Sequence, residues 1–174
     1  SEDEKILEEV RREIERIHEE NRKVRERIER LIREIHKLNR EVLERNKESI
    51  EEIRRLVEEG APKEELRKTV RKSNEDSKRL AKESKDRIDE IEREVEKLIR
   101  DSEREIERIE EEVRRKIDSK FLEDIERLLR EIDKDSKRVL EELKRLLDEI
   151  RKDSDRVLKT AHDTDDKILK DIDK

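Results

Sequence analysis

The sequence IHEENRKV at residues 17–24 returns eighteen residues later as IHKLNREV at residues 35–42. Eighteen residues make five turns of an α-helix, so His18 and His36 should point the same way about 27 Å apart along one helix axis. The apolar and serine positions of the later chain repeat with the same period, once in the stretch that begins at Ser84 and once in the stretch that begins at Phe121. A five-turn repeat fits an undistorted helix and predicts long, nearly straight helices.

The composition alone does not distinguish helix from disorder. Of the 174 residues, 60% are charged and only 28% are hydrophobic, and such chains often bury too little apolar surface to offset their chain entropy. Here, however, the Leu, Ile and Val residues recur at spacings of three and four throughout, which gathers them into one stripe per helix. The pattern therefore predicts helices that pack through their stripes and leave their charges in water.

Two turns are predicted. Gly60 suits the left-handed position just beyond a helix end, and Pro62 suits the first turn of the next helix. The second turn is placed at Asp118 and Ser119, which are both good N-cap residues. Ile117 would then pack onto Phe121 or Leu122 across this second turn.

These turns predict an all-α fold, a long antiparallel up-down-up three-helix bundle that forms a single domain over residues 1–174. The predicted helices span about 2–59, 63–117 and 120–173.

Polar residues recur within the predicted apolar stripes. If the chain reverses at both turns, residues of the first and second helices face each other when their residue numbers add up to about 120. The corresponding sum for the second and third helices is about 238. We expect two layers, His18, Asn21, Ser102 and Ser136, then His36, Asn39, Ser84 and Ser154. An unpaired buried polar group costs about 1–3 kcal/mol, so the members of each layer should bond to one another and fix the register.

A third polar layer near Gly60 breaks the repeat. Its predicted members are Asn46, Ser49, Ser73, Asn74, Ser77, Thr160, His162 and Thr164. A layer of different chemistry could distinguish the correct alignment from one that has slipped by eighteen residues.

These features resemble de novo designed helical bundles with buried modular hydrogen-bond networks, a class that includes designed heterodimers and latch-and-cage switches. The resemblance covers the whole chain, through its repeated His-x-x-Asn pairs, Ser-centred stripes, Glu/Lys/Arg surfaces and Gly-Ala-Pro loop. It implies a structural scaffold with no natural biochemical activity. It leaves open whether such a chain is an inert monomer or an engineered interaction partner.

The residues point to no enzyme, cofactor or metal site. His18 and His36 are too far apart to share a metal ion, which needs three or four converging ligands. His162 is followed by Asp163 and Asp166, a pattern that could hold a base or a weak cation, but no nucleophile or Gly-rich loop accompanies it. We therefore expect His162 to belong to the third layer.

Charge and hydropathy limit the partners. A net charge of −6 disfavours nucleic acid and anionic membranes, and no apolar run is long enough to cross a bilayer. The sequence has no cysteine and no recognisable targeting segment, so we expect a soluble synthetic protein, made by cytoplasmic expression, whose natural compartment is undefined.

Two alternatives concern assembly and pH. The core residues of the first helix cover a wider arc, about 140° against about 100° for the second, which could accommodate a fourth helix or a second copy. A self-contained monomer is favoured because three stripes can close on one another. If the histidines are buried and neutral, the bundle should loosen in acid.

Overall fold

The computed structural model describes residues 2–117 and 120–174, which form three helices. They are α1 (Glu2–Glu58), α2 (Lys63–Lys116) and α3 (Phe121–Asp173). The three helices pack against one another and the described ranges contain no strand, so the predicted all-α three-helix class is confirmed. Each observed helix end lies within one residue of its predicted position. The predicted N-cap residues Asp118 and Ser119 lie outside the described residues.

The turn between α1 and α2 follows the predicted chemistry. Gly60 has a φ of +74°, in the left-handed region that favours glycine. The amide of Ala61 donates to the carbonyl of Leu56 at 2.9 Å, the backbone bond that closes a helix end with glycine in this position. Pro62 lies just before α2, and its carbonyl accepts from the amide of Glu65 at 3.0 Å. This turn therefore satisfies backbone groups at both helix ends.

The chain divides into two compact units, and each contains a segment of all three helices. The first unit comprises the residues up to Glu29 together with Ile91–Leu146, and the second comprises Arg30–Glu90 with Leu147–Lys174. The prediction of a single domain stays a prediction.

The first unit is built around one apolar cluster. Its buried members are Val10, Ile17, Ile106, Ile109, Val113, Ile117, Ile125, Leu129 and Ile132. Ile117 is only 2% exposed, and the half-buried Phe121 and Leu122 pack against the same cluster. The residues on either side of the second turn therefore share one core.

The second unit contains two apolar clusters. The Val42 cluster comprises Val42, Leu80 and Ala161 with Leu38 and Val157. The Val70 cluster comprises Ile53, Leu56, Leu66, Val70 and Ile172 with Ala61, Ile168 and Leu169. Along every helix, the buried side chains between these clusters are polar: Asn46 and Ser49 of α1, Ser73 and Ser77 of α2, and Asp165 of α3. We call these five residues the polar interval.

Ion pairs on the surface follow the antiparallel order of α1 and α2. In the first unit they join Glu13 to Arg108 and Arg27 to Glu94, and in the second they join Glu34 to Arg87 and Arg45 to Asp76. In both units the position on α2 falls as the position on α1 rises. Each partly exposed pair contributes only about 0–1 kcal/mol, so we assign the register mainly to the buried residues.

Candidate functional site

The polar layer of the first unit centres on Asn21. Its Nδ2 donates to the Oγ of Ser136 at 3.3 Å, and its Oδ1 accepts from the Oγ of Ser102 at 3.5 Å. One amide on α1 thus bonds to both α2 and α3. Ser102 is buried, whereas Asn21 and Ser136 are half-buried.

The polar layer of the second unit is more deeply buried. Asn39 Nδ2 donates to the Oγ of Ser154 at 3.2 Å, and that hydroxyl lies 3.3 Å from Asn39 Oδ1, in position to donate back. Asn39 is 7% exposed and Ser154 is 4% exposed. Ser84, the predicted α2 member, is also buried and lines a groove beside Ser154.

The predicted burial of the histidines is wrong. His18 and His36 are exposed, and His162 has 60% of its side chain exposed. The first two lie at the edge of the apolar arc of α1, where a long side chain reaches water more easily than core. Each was predicted in the same layer as the asparagine three residues later, and it is the asparagine that bonds to the serine of α3. The expected loosening of the bundle in acid required buried neutral histidines, and these exposed rings do not meet that condition.

The polar interval has a different pattern. Asn46 Nδ2 donates to Asp165 Oδ1 at 3.2 Å and to the carbonyl of Ala161 at 3.5 Å. Ala161 lies 115 residues after Asn46, the same separation that joins Asn21 to Ser136 and Asn39 to Ser154. The residue of α3 opposite Asn46 is therefore an alanine, whereas the other two layers have a serine in the equivalent position.

The carboxyl of Asp165 is buried, and the positive charge that favours its ionised form comes from the exposed His162. The Asp165 side chain is only 2% exposed, and burial raises the pKa of this carboxyl to about 6 from an ordinary value of 3.8. The charge of His162 and the hydrogen bond from Asn46 act in the opposite direction, whereas the charge of Asp166 raises the pKa further.

Four oxygen atoms of the polar interval have no hydrogen-bond partner in the described part of the protein. They are Asp165 Oδ2 and the hydroxyls of Ser49, Ser73 and Ser77. A buried acceptor or hydroxyl without a partner costs about 1–3 kcal/mol, so this interval is the least satisfied part of the described core.

The other four predicted members of the third layer lie outside the polar interval as the described residues define it. Thr160 is exposed and its hydroxyl donates to the carbonyl of Arg156 at 2.9 Å, while that of Thr164 donates to the carbonyl of Thr160 at 2.8 Å. Both hydroxyls are thus satisfied within α3, as is common for threonine in a helix. His162 lies 3.3 Å from Asp166 on the surface, and Asn74 is half-buried. The prediction that these threonines and His162 belong to the layer is therefore corrected.

Sequence reasoning missed Asp165, although its spacing contained a signal. It lies four residues after Ala161 and seven before Ile172, and both of these are buried. This spacing places Asp165 in the apolar stripe of α3. A charged residue in such a chain is usually assigned to the solvated face, and that assumption concealed the buried carboxylate.

The described side chains join helices through hydrogen bonds and place the Asp165 carboxyl in the core. Across residues 2–117 and 120–174, no group of three His, Cys, Asp or Glu side chains is placed to hold a metal ion. In the same ranges, no helix is both long and apolar enough to cross a membrane.

No protein-family model and no curated protein matches the chain. Among solved structures, a computationally designed three-helix bundle is similar at 20% identity and a TM-score of 0.32, covering 98% of this chain and 83% of that one. The function has to be inferred from this chain's own side chains.

Proposed function

We propose that this chain is a de novo designed, monomeric structural scaffold without a natural biochemical activity. Its buried polar layers would specify which helices pair and in which register. The observation that carries the proposal is the repeated bond from an asparagine of α1 to the serine of α3 that lies 115 residues later, once in each unit.

The polar layers would disfavour alternative alignments of the helices. Apolar stripes alone tolerate displaced pairings, because leucine and isoleucine pack against many neighbours. If α3 slipped by one repeat so that Asn21 met Ser154, Asn39 would face Ile172. A buried amide without a partner costs about 1–3 kcal/mol, so the slipped alignment is penalised.

A comparison of two double variants tests this proposal. Asn21→Leu with Asn39→Leu removes both layers and adds apolar surface to α1. We expect it to stay helical but to populate more than one mass or conformation, as seen by light scattering and by amide NMR spectra.

The matched control is His18→Leu with His36→Leu. It adds the same side chains to the same helix at exposed positions, and we expect one species at the chain mass of 21.4 kDa. The proposal fails if the asparagine variant is as uniform as this control, or if the unmodified chain has twice that mass.

A second candidate function is a module that binds one further helix. It is favoured by a groove of about 520 Å³ between α2 and α3 in the second unit. The apolar lining comes from Ala81, Ile88 and Leu158, and Ser84 and Ser154 add hydroxyls. Its charged lining residues have both signs: Lys82, Lys85, Asp89, Arg151 and Asp155.

We infer that the occupant would be an amphipathic helix from a partner chain. The groove has the same features as the inner faces of this chain's helices, namely apolar residues, hydroxyls and mixed charged flanks. A synthetic peptide with the sequence of residues 28–46, which has an apolar seam and Asn39, is a suitable probe. We expect it to bind, with Leu158→Glu abolishing the binding.

Leu140→Glu, one repeat earlier on α3, is the matched control and should leave peptide binding intact. This residue lines a groove of only about 30 Å³ in the first unit. Absence of peptide binding, or equal loss in both variants, would reject the module. A stable dimer of the chain itself would instead identify a second copy as the occupant and reject the single-helix partner.

A further inference from the structure

The polar interval of the second unit brings one carboxyl group into a buried neutral environment. Its four other members are asparagine and serine, and each of the five side chains is at least nine-tenths buried. The interval lies between the Val42 cluster and the Val70 cluster, so apolar side chains flank it along every helix. The Asp165 carboxyl is the single ionisable group among these five residues.

The charges around the interval do not neutralise Asp165. On α3, His162 and Asp166 are exposed and act in opposite directions. Between α1 and α2, Arg45 is engaged by Asp76 at 3.2 Å. The other charged residues at this level of α1 and α2 are exposed to solvent: Lys47, Glu48, Lys72, Glu75 and Lys78.

We propose that the polar interval is a proton-binding site, in which Asp165 takes up a proton in mildly acidic solution and thereby stabilises the folded second unit. The geometry supports this directly. Only Oδ1 of the carboxylate accepts a described hydrogen bond, from Asn46, while the buried Oδ2 has no partner among the described residues. A buried charge with so little compensation favours its neutral form.

The sign of the effect follows from proton linkage. Because burial raises the pKa of Asp165 to about 6 in the folded chain, against 3.8 ordinarily, the folded state holds its proton more tightly than the unfolded state. The stabilisation is fully present below pH 3.8 and is lost as the pH rises through about 6. This dependence is opposite to the acid loosening expected from buried histidines.

Asp165→Asn provides the first test, because its amide cannot ionise and can still pair with Asn46. At pH 7.5 we expect the folding equilibrium constant of the variant to exceed that of the unmodified chain about a hundredfold, since each pKa unit corresponds to a factor of ten. This difference should vanish near pH 3.5. Denaturant unfolding followed by circular dichroism measures both values, and the ratio cancels the titration of surface carboxylates.

Asp163→Asn is the matched control, since it removes an exposed carboxylate two residues away. Its ratio to the unmodified chain should stay nearly constant between the two pH values. A ratio for Asp165→Asn that is equally constant would overturn the proposal.

A direct titration makes the test independent of variant stability. In the unmodified folded chain, the ¹³C carboxyl resonance of Asp165 should shift with a midpoint near pH 6. A midpoint near the ordinary 3.8 would show that the buried carboxylate keeps its charge, and would exclude the proton-binding site.

Discussion

The side chains of Asn39 and Ser154 each donate a hydrogen bond to the other, at 3.2 Å and 3.3 Å, although the two residues lie 115 positions apart in the sequence. Both are more than nine-tenths buried. The equivalent pair in the first unit, Asn21 and Ser136, is half-buried and has one bond of 3.3 Å. The two layers have the same separation in sequence but differ in burial, and that difference should appear in the stability lost when either asparagine is replaced.

We expect Asn39→Ala to destabilise the protein more than Asn21→Ala. Removing Asn39 leaves the buried Ser154 hydroxyl without its partner, which costs about 1–3 kcal/mol. Asn21→Ala should cost less, about 1 kcal/mol, because water can reach the half-buried Ser136 and because the bond from the buried Ser102 to Asn21 is long, at 3.5 Å. Denaturant unfolding of the two variants gives the comparison.

His36→Ala serves as the control for the asparagine variants, because His36 is exposed on the same helix. Its effect should stay within about 0.5 kcal/mol, as for an ordinary surface substitution. A larger loss of stability for His36→Ala than for Asn39→Ala would show that the histidine, and not the asparagine, contributes to the buried hydrogen-bond network.

The fold was predictable because its signals are local and redundant. Stripes at spacings of three and four define the helices, and Gly60 with Pro62 defines the first turn without reference to distant residues. The partners in each layer depend on the axial offset between α1 and α3. A shift of three residues keeps a side chain near the same helix face, so spacing alone places both His18 and Asn21 in the layer of Ser136 and does not show which of them bonds to it.

Asp165 shows a different limit of prediction. Its position in the stripe was visible, but whether a stripe position carries a buried charge depends on what surrounds it. The other side chains of the polar interval are asparagine and serine, which supply no positive charge to the carboxylate. Burying an incompletely paired charge is unfavourable, so its average cost predicts an aspartate in water rather than in the core.

A core residue and an exposed one of the same type should respond differently to truncation. Leu129 of the first unit is 1% exposed, and Leu129→Ala should cost about 2–5 kcal/mol through lost burial and the remaining cavity. Leu43 is 43% exposed, and Leu43→Ala should cost less than about 1 kcal/mol. Thermal and denaturant unfolding of both variants checks the assignment. Equal losses would mean that Leu43 is covered in solution, for example by a partner.

The turn at Gly60 gives a prediction about the backbone alone. A Cβ at this position would meet nothing within 4 Å, so Gly60→Ala introduces no clash. Its φ of +74° still imposes left-handed strain on a residue with a Cβ, at a cost of roughly 1–2 kcal/mol. Gly60→Asn should cost less, because asparagine tolerates this conformation better. Equal stability of Gly60→Ala and the unmodified chain would contradict the left-handed turn.

Giving the polar interval the Asn–Ser pair of the other two layers should stabilise the protein. Ala161 occupies the position, 115 residues after Asn46, at which the other layers have serine. Ala161→Ser combined with Asp165→Val would offer Asn46 a hydroxyl and remove the buried carboxylate. At pH 7.5 we expect a gain in stability on the order of 1–3 kcal/mol, because an apolar group replaces an incompletely paired buried charge.

Asp163→Val with Ala161→Ser is the control, and it should show no comparable gain because Asp165 is retained. A combined variant less stable than the unmodified chain would mean that the Asn46–Asp165 bond outweighs the cost of burying the charge.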